Sequence, residues 1–142
     1  MEKLNIIFVC HGSICRSPAA EFILKYLSDN YDVISRAVSY EESGNDIYPP
    51  MKAALNRAGI SFSSHRATRI TKDDYDWADY VFYMDEENLY YLHRFFMNGE
   101  KIKPINLYTP SINEIEDPWY TGRYDLVVSQ ITQCVKDIIK YI

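Results

Sequence analysis

Hydrophobic and polar positions alternate along the chain between short apolar runs and longer amphipathic stretches. Asn5–Cys10 is a continuous β-prone run, typical of a strand that is buried on both faces. Further strands are predicted at Val33–Val38, Tyr80–Met84 and Lys103–Leu107. Longer helices are predicted at Pro18–Leu27, Pro50–Ala58, Glu86–Met97 and Tyr124–Ile142. The third of these is predicted to stop at Asn98-Gly99, and a short helix is predicted to begin after a Thr71 cap. The long stretch Tyr108–Arg123 is predicted to be irregular.

The order of these elements determines the predicted architecture. Strands that alternate with helices indicate one α/β domain over residues 1–142, with a parallel sheet covered by helices on both faces. In such sheets active sites lie beyond the carboxyl ends of the strands, near the point where the strand order reverses. The segment that follows the first strand is therefore the first candidate for chemistry.

Length, charge and cysteine content narrow the classes of protein. A chain of 142 residues can bury a core without disulfide or metal staples. The net charge of −5 argues against the basic face that a broad nucleic-acid interface needs. The apolar run near the start is too short for a secretory or membrane segment, and the three cysteines fit a reducing compartment. We expect a cytoplasmic protein without nucleic-acid or membrane partners, monomeric or weakly self-associating.

The loop between the first strand and the first helix has the composition of an anion site. Ser17-Pro18 predicts a helix N-cap followed by a first-turn proline, so the preceding residues wrap above a helix N-terminus. Unpaired backbone N–H groups and the helix dipole favour an anion there. Gly12 permits a close turn, and Arg16 offers a planar fork for two contacts with a phosphate. The loop is predicted to hold a tetrahedral oxyanion.

Cys10 ends the first strand inside this positive field, which favours its thiolate form. A thiolate that faces a bound phosphate monoester is a nucleophile in line with phosphorus. The spacing of five residues between Cys10 and Arg16 is a weak signal alone, and the buried strand before it and the Ser-Pro helix start after it make it specific. The prediction is a phosphocysteine intermediate on Cys10. The cysteine spacing and the scattered histidines predict no metal site.

The segment VCHGSICRSPAAE, Val9–Glu21, resembles the signature V-C-x-G-N-x-C-R-S-P of the low-molecular-weight protein tyrosine phosphatases. SRAVS, GI…HRA, MDEENL and EDPWYTG follow in the family's order, so the resemblance spans nearly the whole chain. It implies a flavodoxin-like sheet of four parallel strands with the phosphate-binding loop after the first strand. It also implies hydrolysis of phosphotyrosine in proteins or peptides, without a cofactor.

The resemblance also implies roles for residues outside the loop. Asp117, in Asp-Pro-Trp-Tyr, matches the family's general acid. The reaction needs such a group because the departing phenolate must be protonated and a water must then be deprotonated. Ser39 and His65 match family residues that brace the loop. The residues expected to contact substrate are His11, Gly12, Ser13, Ile14, Cys15, Ser17, Tyr40, Glu41, Trp119 and Tyr120.

Ser13 and Glu41 depart from the family pattern. Ser13 stands where the family has an asparagine whose side chain holds the loop, so we expect a looser loop. Tyr40-Glu41 stands where the family often has an aromatic residue at the mouth of the site. A carboxylate there would disfavour acidic peptides around the phosphotyrosine.

Several alternatives stay open. Arsenate reductase on the same fold needs a further redox cysteine pair after the loop, which Cys134 alone does not supply. Phosphoarginine phosphatases have a threonine in the position of Ile14, whereas isoleucine suits an aromatic ring. Ser13 leaves open a phosphate-binding interaction module, although a binder has no use for a general acid. Cys15 is either a packing residue or the partner of Cys10 in a protective disulfide.

Overall fold

A computed structural model describes residues 2–97 and 99–142, so the predicted helix stop at Asn98 lies outside the described residues. The strands are β1 Leu4–Cys10, β2 Tyr31–Ala37, β3 Tyr80–Tyr83 and β4 Ile102–Pro104. The helices are α1 Arg16–Leu27, α2 Pro49–Arg57, α3 Lys72–Trp77, α4 Glu86–Phe95, α5 Pro118–Thr121 and α6 Tyr124–Tyr141. Within the described residues, no helix is long and apolar enough to cross a membrane.

The four strands form one parallel sheet in the order β2-β1-β3-β4, which confirms the predicted architecture. Leu4 of β1 pairs with Tyr31 of β2, and Ile6 pairs with Tyr80 of β3 on the opposite side. β2 therefore lies on one side of β1, and β3 and β4 lie on the other side. The chain crosses over β1 between β2 and β3. The carboxyl end of β1 is the point where the strand order reverses, and Cys10 occupies it.

The position of β1 in the centre of the sheet explains why its sequence is apolar at every position from Ile6 to Cys10. Successive side chains of a strand point to opposite faces of the sheet. Ile6 and Phe8 pack on one face in the core built with α1, α2 and α6. Ile7 and Val9 pack on the other face with Leu92 of α4. Helices cover both faces, so the buried part of β1, Ile6 to Cys10, consists of apolar residues.

The start of α1 differs from the prediction. The helix begins at Arg16 with Cys15 as its N-cap, so the predicted Ser17 cap is wrong. Ser17 lies in the first turn instead, where its backbone N–H has no partner within the helix. Both this N–H and the Ser17 hydroxyl lie against the Cys10 sulfur. The expected helix N-terminus above the site is present, shifted by two residues.

Two other predicted ends are wrong for local reasons. β4 stops at Pro104 rather than Leu107 because the chain turns there, and the Leu107 N–H donates to the Pro104 carbonyl at 3.0 Å. α4 stops at Phe95 because Phe96 is extended and stacks its ring on Tyr75, with 4.4 Å between the ring centroids. Neither change moves the carboxyl end of β1.

The stretch predicted to be irregular contains the short helix α5. Asp117 caps it, Pro118 begins it, and Gly122 ends it in the left-handed conformation with φ of 73°. Four residues are too few to show a hydrophobic period, so the pattern did not reveal this helix. As the N-cap of α5, Asp117 has its side chain held by a hydrogen bond from the Trp119 N–H.

Candidate active site

A pocket opens at the carboxyl end of β1, and three segments that are far apart in the sequence meet there. The loop between β1 and α1 contributes residues 10–16, the turn after β2 contributes Glu41 and Glu42, and the α5 segment contributes Asp117, Trp119 and Tyr120. The structure thus brings Cys10, Arg16 and Asp117 into one pocket. The lining consists of Cys10, His11, Gly12, Ser13, Ile14, Cys15, Arg16, Glu41, Glu42, Asp117, Trp119 and Tyr120.

The Cys10 sulfur is buried, and two backbone N–H groups and one hydroxyl lie close to it. The backbone N–H groups of Ser13 and Ser17 point at it from 3.3 and 3.4 Å, and the Ser17 Oγ lies 3.3 Å away. The Ser17 hydroxyl also lies 2.8 Å from the Ser13 Oγ. The two N–H groups point the positive ends of their dipoles at the sulfur, beside the N-terminus of α1. Ser17 contacts the sulfur and does not line the pocket, contrary to the expected substrate contact.

Backbone N–H groups of the loop are free to receive an anion. Those of Gly12, Ile14 and Cys15 have no bonded acceptor within the described part of the chain. They lie in a tight turn that runs into the N-terminus of α1, where the helix dipole adds partial positive charge. Successive unpaired N–H groups at such a turn form a concave anion site. The loop fits a tetrahedral oxyanion.

Arg16 is almost completely buried, with 2 % of its surface exposed. Its Nη1 donates to Asp85 Oδ2 at 2.7 Å and to the Ile115 carbonyl at 2.8 Å. Burial acts to lower the pKa of Arg16, but the negative charges of Cys10, Asp85 and Asp117 outweigh it and raise the pKa. Arg16 is a permanent cation whose Nη1 is occupied, which leaves its other N–H groups for a phosphate.

Sequence reasoning missed Asp85, which appeared only as part of the MDEENL resemblance. Asp85 is the N-cap of α4 and forms a reciprocal capping box with Asn88, each side chain accepting the other residue's backbone N–H. An acidic residue three positions before an amide residue at a helix start was a readable capping signal. Its pairing with Arg16, which lies 69 positions away, had no local signal.

Asp117 projects into the pocket from the cap of α5. Its Oδ1 accepts the Trp119 N–H at 3.0 Å, and its Oδ2 lies 3.6 Å from Arg16 Nη2. The neighbouring Glu116 accepts hydrogen bonds from Nε and Nη2 of Arg123, which lowers the pKa of Glu116 and holds its carboxylate against Arg123. Asp117 is the carboxyl group of this pair that lines the pocket.

Two aromatic side chains form an exposed wall of the pocket. Trp119 and Tyr120 are 52 % and 84 % exposed, which suits the contact surface for a substrate ring. The Trp119 ring packs against Tyr48 with 4.8 Å between the centroids. Tyr48, which sequence reasoning missed, also donates its N–H to the Ile14 carbonyl at 2.8 Å. It therefore connects the aromatic wall to the loop.

The structure does not bring Tyr40 into the pocket lining, contrary to the expected substrate contact. The Arg69 guanidinium lies 4.9 Å above the Tyr40 ring, and Arg69 donates to the Tyr40 hydroxyl at 3.0 Å. Glu42, which sequence reasoning missed, occupies the pocket side instead. Its side chain rests on Gly12, where an added Cβ would lie 3.1 Å from the Glu42 Cγ. Residue 12 must be small for this contact.

His11 lies between two carboxylates at the mouth. Its Nε2 is 2.9 Å from Glu41 Oε2, and its Nδ1 is 3.0 Å from Glu87 Oε1 without hydrogen-bond geometry. These contacts connect the loop to the turn after β2 and to α4. Glu41 and Glu42 make one side of the mouth acidic, and the expected bias against acidic peptides stays a prediction.

The two residues expected to brace the loop both contact its backbone. The Ser39 hydroxyl donates to the His11 carbonyl at 3.0 Å, and His65 Nε2 donates to the Ser13 carbonyl at 2.6 Å. Asp46 in turn accepts the His65 backbone N–H at 3.0 Å. Their positions suit bracing, and the roles themselves stay predictions.

Cys15 is buried beside the pocket, and all three cysteines are free thiols. Burial raises the pKa of the Cys15 thiol, and the negative charges of Cys10 and Asp117 raise it further. Cys15 is therefore protonated at neutral pH and is a poor nucleophile by itself. Its proposed disulfide with Cys10 stays a prediction. Among residues 2–97 and 99–142, no group of three or more metal-ligating side chains is placed to hold an ion.

Ser13 adopts a conformation that serine rarely adopts. Its φ is 56°, the only positive φ of a non-glycine residue in the described part of the chain. Its side chain is fully buried. The left-handed region is more accessible to asparagine than to serine. An asparagine at this position would therefore fit the backbone conformation better than serine does.

We expect Ser13→Asn to stabilise the loop because asparagine relieves part of the cost of the left-handed conformation, which is roughly 1 kcal/mol. The melting temperature should rise, and kcat/KM for an aryl phosphate should rise by at most about tenfold. Thermal unfolding and steady-state kinetics measure both effects, with Ser13→Gly separating backbone relief from side-chain bonding. Lower stability and activity of the asparagine variant would show that the buried position has no room for the amide.

Comparisons with known proteins agree with this geometry. The family profile of low molecular weight phosphotyrosine protein phosphatases matches residues 5–142. The human protein of that description is 35% identical, covering 96% of this chain and 94% of its own length. The crystal structure of YfkJ from Bacillus subtilis has a TM-score of 0.91 at 29% identity, covering 99% of this chain and 94% of that chain. The YwlE arginine phosphatase from Geobacillus stearothermophilus shares the fold, with a TM-score of 0.84 at 24% identity over 96% of this chain and 91% of that chain.

Proposed function

Because the chain belongs to the low molecular weight phosphotyrosine protein phosphatase family, we propose that it hydrolyses phosphotyrosine in proteins or peptides through a phosphocysteine intermediate on Cys10. The observation that carries the proposal is the convergence of Cys10, Arg16 and Asp117 in one pocket. Each supplies one requirement of the reaction, namely a nucleophile, a cation for the phosphate and a proton donor.

In the first step the Cys10 thiolate attacks phosphorus while the loop N–H groups and Arg16 hold the phosphate oxygens. The sulfur–phosphorus bond forms as the bond from phosphorus to the phenolic oxygen breaks. Asp117 in its acid form gives its proton to that oxygen, so tyrosine leaves neutral. Donors that are fixed before the reaction stabilise the charge that develops on the phosphoryl group.

In the second step Asp117, now a carboxylate, takes a proton from a water molecule that attacks the phosphocysteine. The oxygen–phosphorus bond forms, the sulfur–phosphorus bond breaks, and inorganic phosphate and the Cys10 thiolate are released. The donors around the sulfur, among them the Ser17 N–H at 3.4 Å, stabilise this leaving thiolate. One carboxyl group thus serves both steps.

The pocket supports an aromatic ester over phosphoarginine. Ile14 and the exposed rings of Trp119 and Tyr120 offer apolar and aromatic surface to a flat ring. The fold cannot decide between the two substrates, since the YwlE arginine phosphatase shares it. The choice rests on the side chains of the pocket.

We expect the enzyme to act on a phosphotyrosine peptide with a higher kcat/KM than on a phosphoarginine peptide of otherwise identical sequence. Ile14→Thr should reduce the ratio of the two values, on the order of 10-fold, because a hydroxyl replaces apolar contact with the ring. Phosphate release measures both substrates, and Ile60→Thr, at a buried isoleucine outside the lining, is the control. A wild-type preference for phosphoarginine would contradict the proposed substrate.

A further inference from the structure

We propose that Asn88, which does not line the pocket, is a positioning residue that sets the places of both Arg16 and the segment that carries Asp117. The inference rests on the proposed function. It follows from a closed ring of hydrogen bonds formed by Asn88, Met84, Ile115, Arg16 and Asp85, which connects the end of β3, the start of α4 and the segment before α5.

One half of the ring runs from Asn88 through Asp85 to Arg16. The Asn88 N–H donates to Asp85 Oδ1 at 2.9 Å, and Asp85 Oδ2 accepts from Arg16 Nη1 at 2.7 Å. The Asn88 side-chain oxygen also accepts the Asp85 N–H at 3.3 Å. Asp85 is therefore held at its backbone and at one carboxylate oxygen, which fixes the direction of the other oxygen toward the guanidinium.

The other half runs from Asn88 through Met84 and Ile115 to the same guanidinium nitrogen. Asn88 Oδ1 accepts the Met84 N–H at 3.1 Å, and the Met84 carbonyl accepts the Ile115 N–H at 3.0 Å. The Ile115 carbonyl accepts from Arg16 Nη1 at 2.8 Å. Asp117 lies two residues after Ile115, so this hydrogen bond fixes the backbone just before Asp117.

A contact outside the ring strengthens the second half. The Glu86 N–H, at the first position of α4, donates to Glu114 Oε1 at 2.8 Å. Residues 114 and 115 are thereby attached both to Glu86, at the start of α4, and to Met84, which follows β3. Moving the start of α4 would displace the guanidinium and the general acid together.

The environment of Asn88 indicates that its side-chain oxygen, rather than its side-chain nitrogen, connects the two halves of the ring. Asn88 is fully buried, and within the described part of the chain its Nδ2 has no hydrogen-bond partner. Burying an amide nitrogen without a partner is unfavourable. An apolar residue would avoid that cost but would leave two backbone N–H groups, those of buried Met84 and half-buried Asp85, without their acceptor.

The test compares Asn88→Ala with Thr71→Ala. Thr71 caps α3 in a second capping box of this chain, accepting the Asp74 N–H at 3.1 Å, and α3 buries none of its own residues. For Asn88→Ala we expect kcat/KM for 4-nitrophenyl phosphate to fall on the order of 10- to 100-fold, and inhibition by inorganic phosphate to weaken about tenfold. Thr71→Ala should leave both values within about twofold of the wild type.

The same experiment separates positioning from stability, because each variant loses one side chain of a helix capping box and both are assayed well below their melting temperatures. Equal effects of the two variants, or unchanged phosphate inhibition in Asn88→Ala, would overturn the inference. If Asn88→Ala does not fold, Asn88→Ser is measured in its place and judged by the same limits. An inactive wild type and inactive Thr71→Ala would instead refute the proposed function.

Discussion

Cys10→Ser abolishes turnover of 4-nitrophenyl phosphate, with an expected loss on the order of 10⁴-fold or more, because a serine hydroxyl at this position has no base to activate it. Binding of inorganic phosphate should persist, since the loop N–H groups and Arg16 remain in place. Initial rates give the first quantity, and calorimetric titration with phosphate gives the second.

The matched control for this experiment is Cys134→Ser. Cys134 is fully buried in α6 and lies outside the pocket lining, so the same chemical change is made away from the phosphate loop. Its kcat should stay within a few-fold of the wild type at temperatures where it is folded. Activity of Cys10→Ser near that of Cys134→Ser would exclude the phosphocysteine mechanism.

For Asp117→Ala the expected loss of kcat/KM depends on the leaving group. With phenyl phosphate, whose phenolate needs a proton to depart, we expect a fall on the order of 10²- to 10⁴-fold. With 4-nitrophenyl phosphate the fall should be smaller, since that leaving group departs more readily as an anion. The slope of log kcat/KM against leaving-group pKa, measured over a series of aryl phosphates, should become steeper in the variant.

Glu116→Ala is the control for the general acid, because Glu116 is the adjacent carboxyl group and is paired with Arg123 rather than directed into the pocket. It should leave the dependence on the leaving group unchanged. An Asp117→Ala variant with the same slope as the wild type would mean that another group donates the proton.

The parts of the site that could be predicted are those with local signals. The run from Asn5 to Cys10 is apolar at each buried position, so both the strand and its burial followed from the pattern. The loop between β1 and α1 combines a glycine, an arginine and a helix start within a few residues, which is why its anion-binding character was readable.

The parts that could not be predicted depend on contacts between distant segments or on the geometry of a turn. The pairing of Arg16 with Asp85 joins residues from two elements and leaves no periodic trace in the sequence. Tyr40 and Glu42 lie in one turn, and its backbone conformation decides that Glu42 rather than Tyr40 faces the pocket. The predicted Ser17 cap was wrong because α1 begins two residues earlier, which places the Ser17 N–H in the first turn, against the Cys10 sulfur.

Some predictions concern properties beyond the fold. A cytoplasmic location, weak self-association and a protective disulfide between Cys15 and Cys10 stay predictions. Of these, the disulfide depends most directly on the site. The raised pKa of the Cys15 thiol means that its attack on an oxidised Cys10 would be slow at neutral pH and faster in alkaline solution.

The most direct test of the mechanism is to detect the phosphocysteine intermediate itself. Asp117→Ala enzyme is mixed with 4-nitrophenyl phosphate, stopped during turnover in alkaline denaturant, digested and mapped by mass spectrometry. The account predicts one phosphate on the peptide that contains Cys10, carried by the sulfur, and none when Cys10→Ser is added to the same variant. Phosphate on another residue, or release of nitrophenol during turnover with no phosphorylated enzyme, would contradict it.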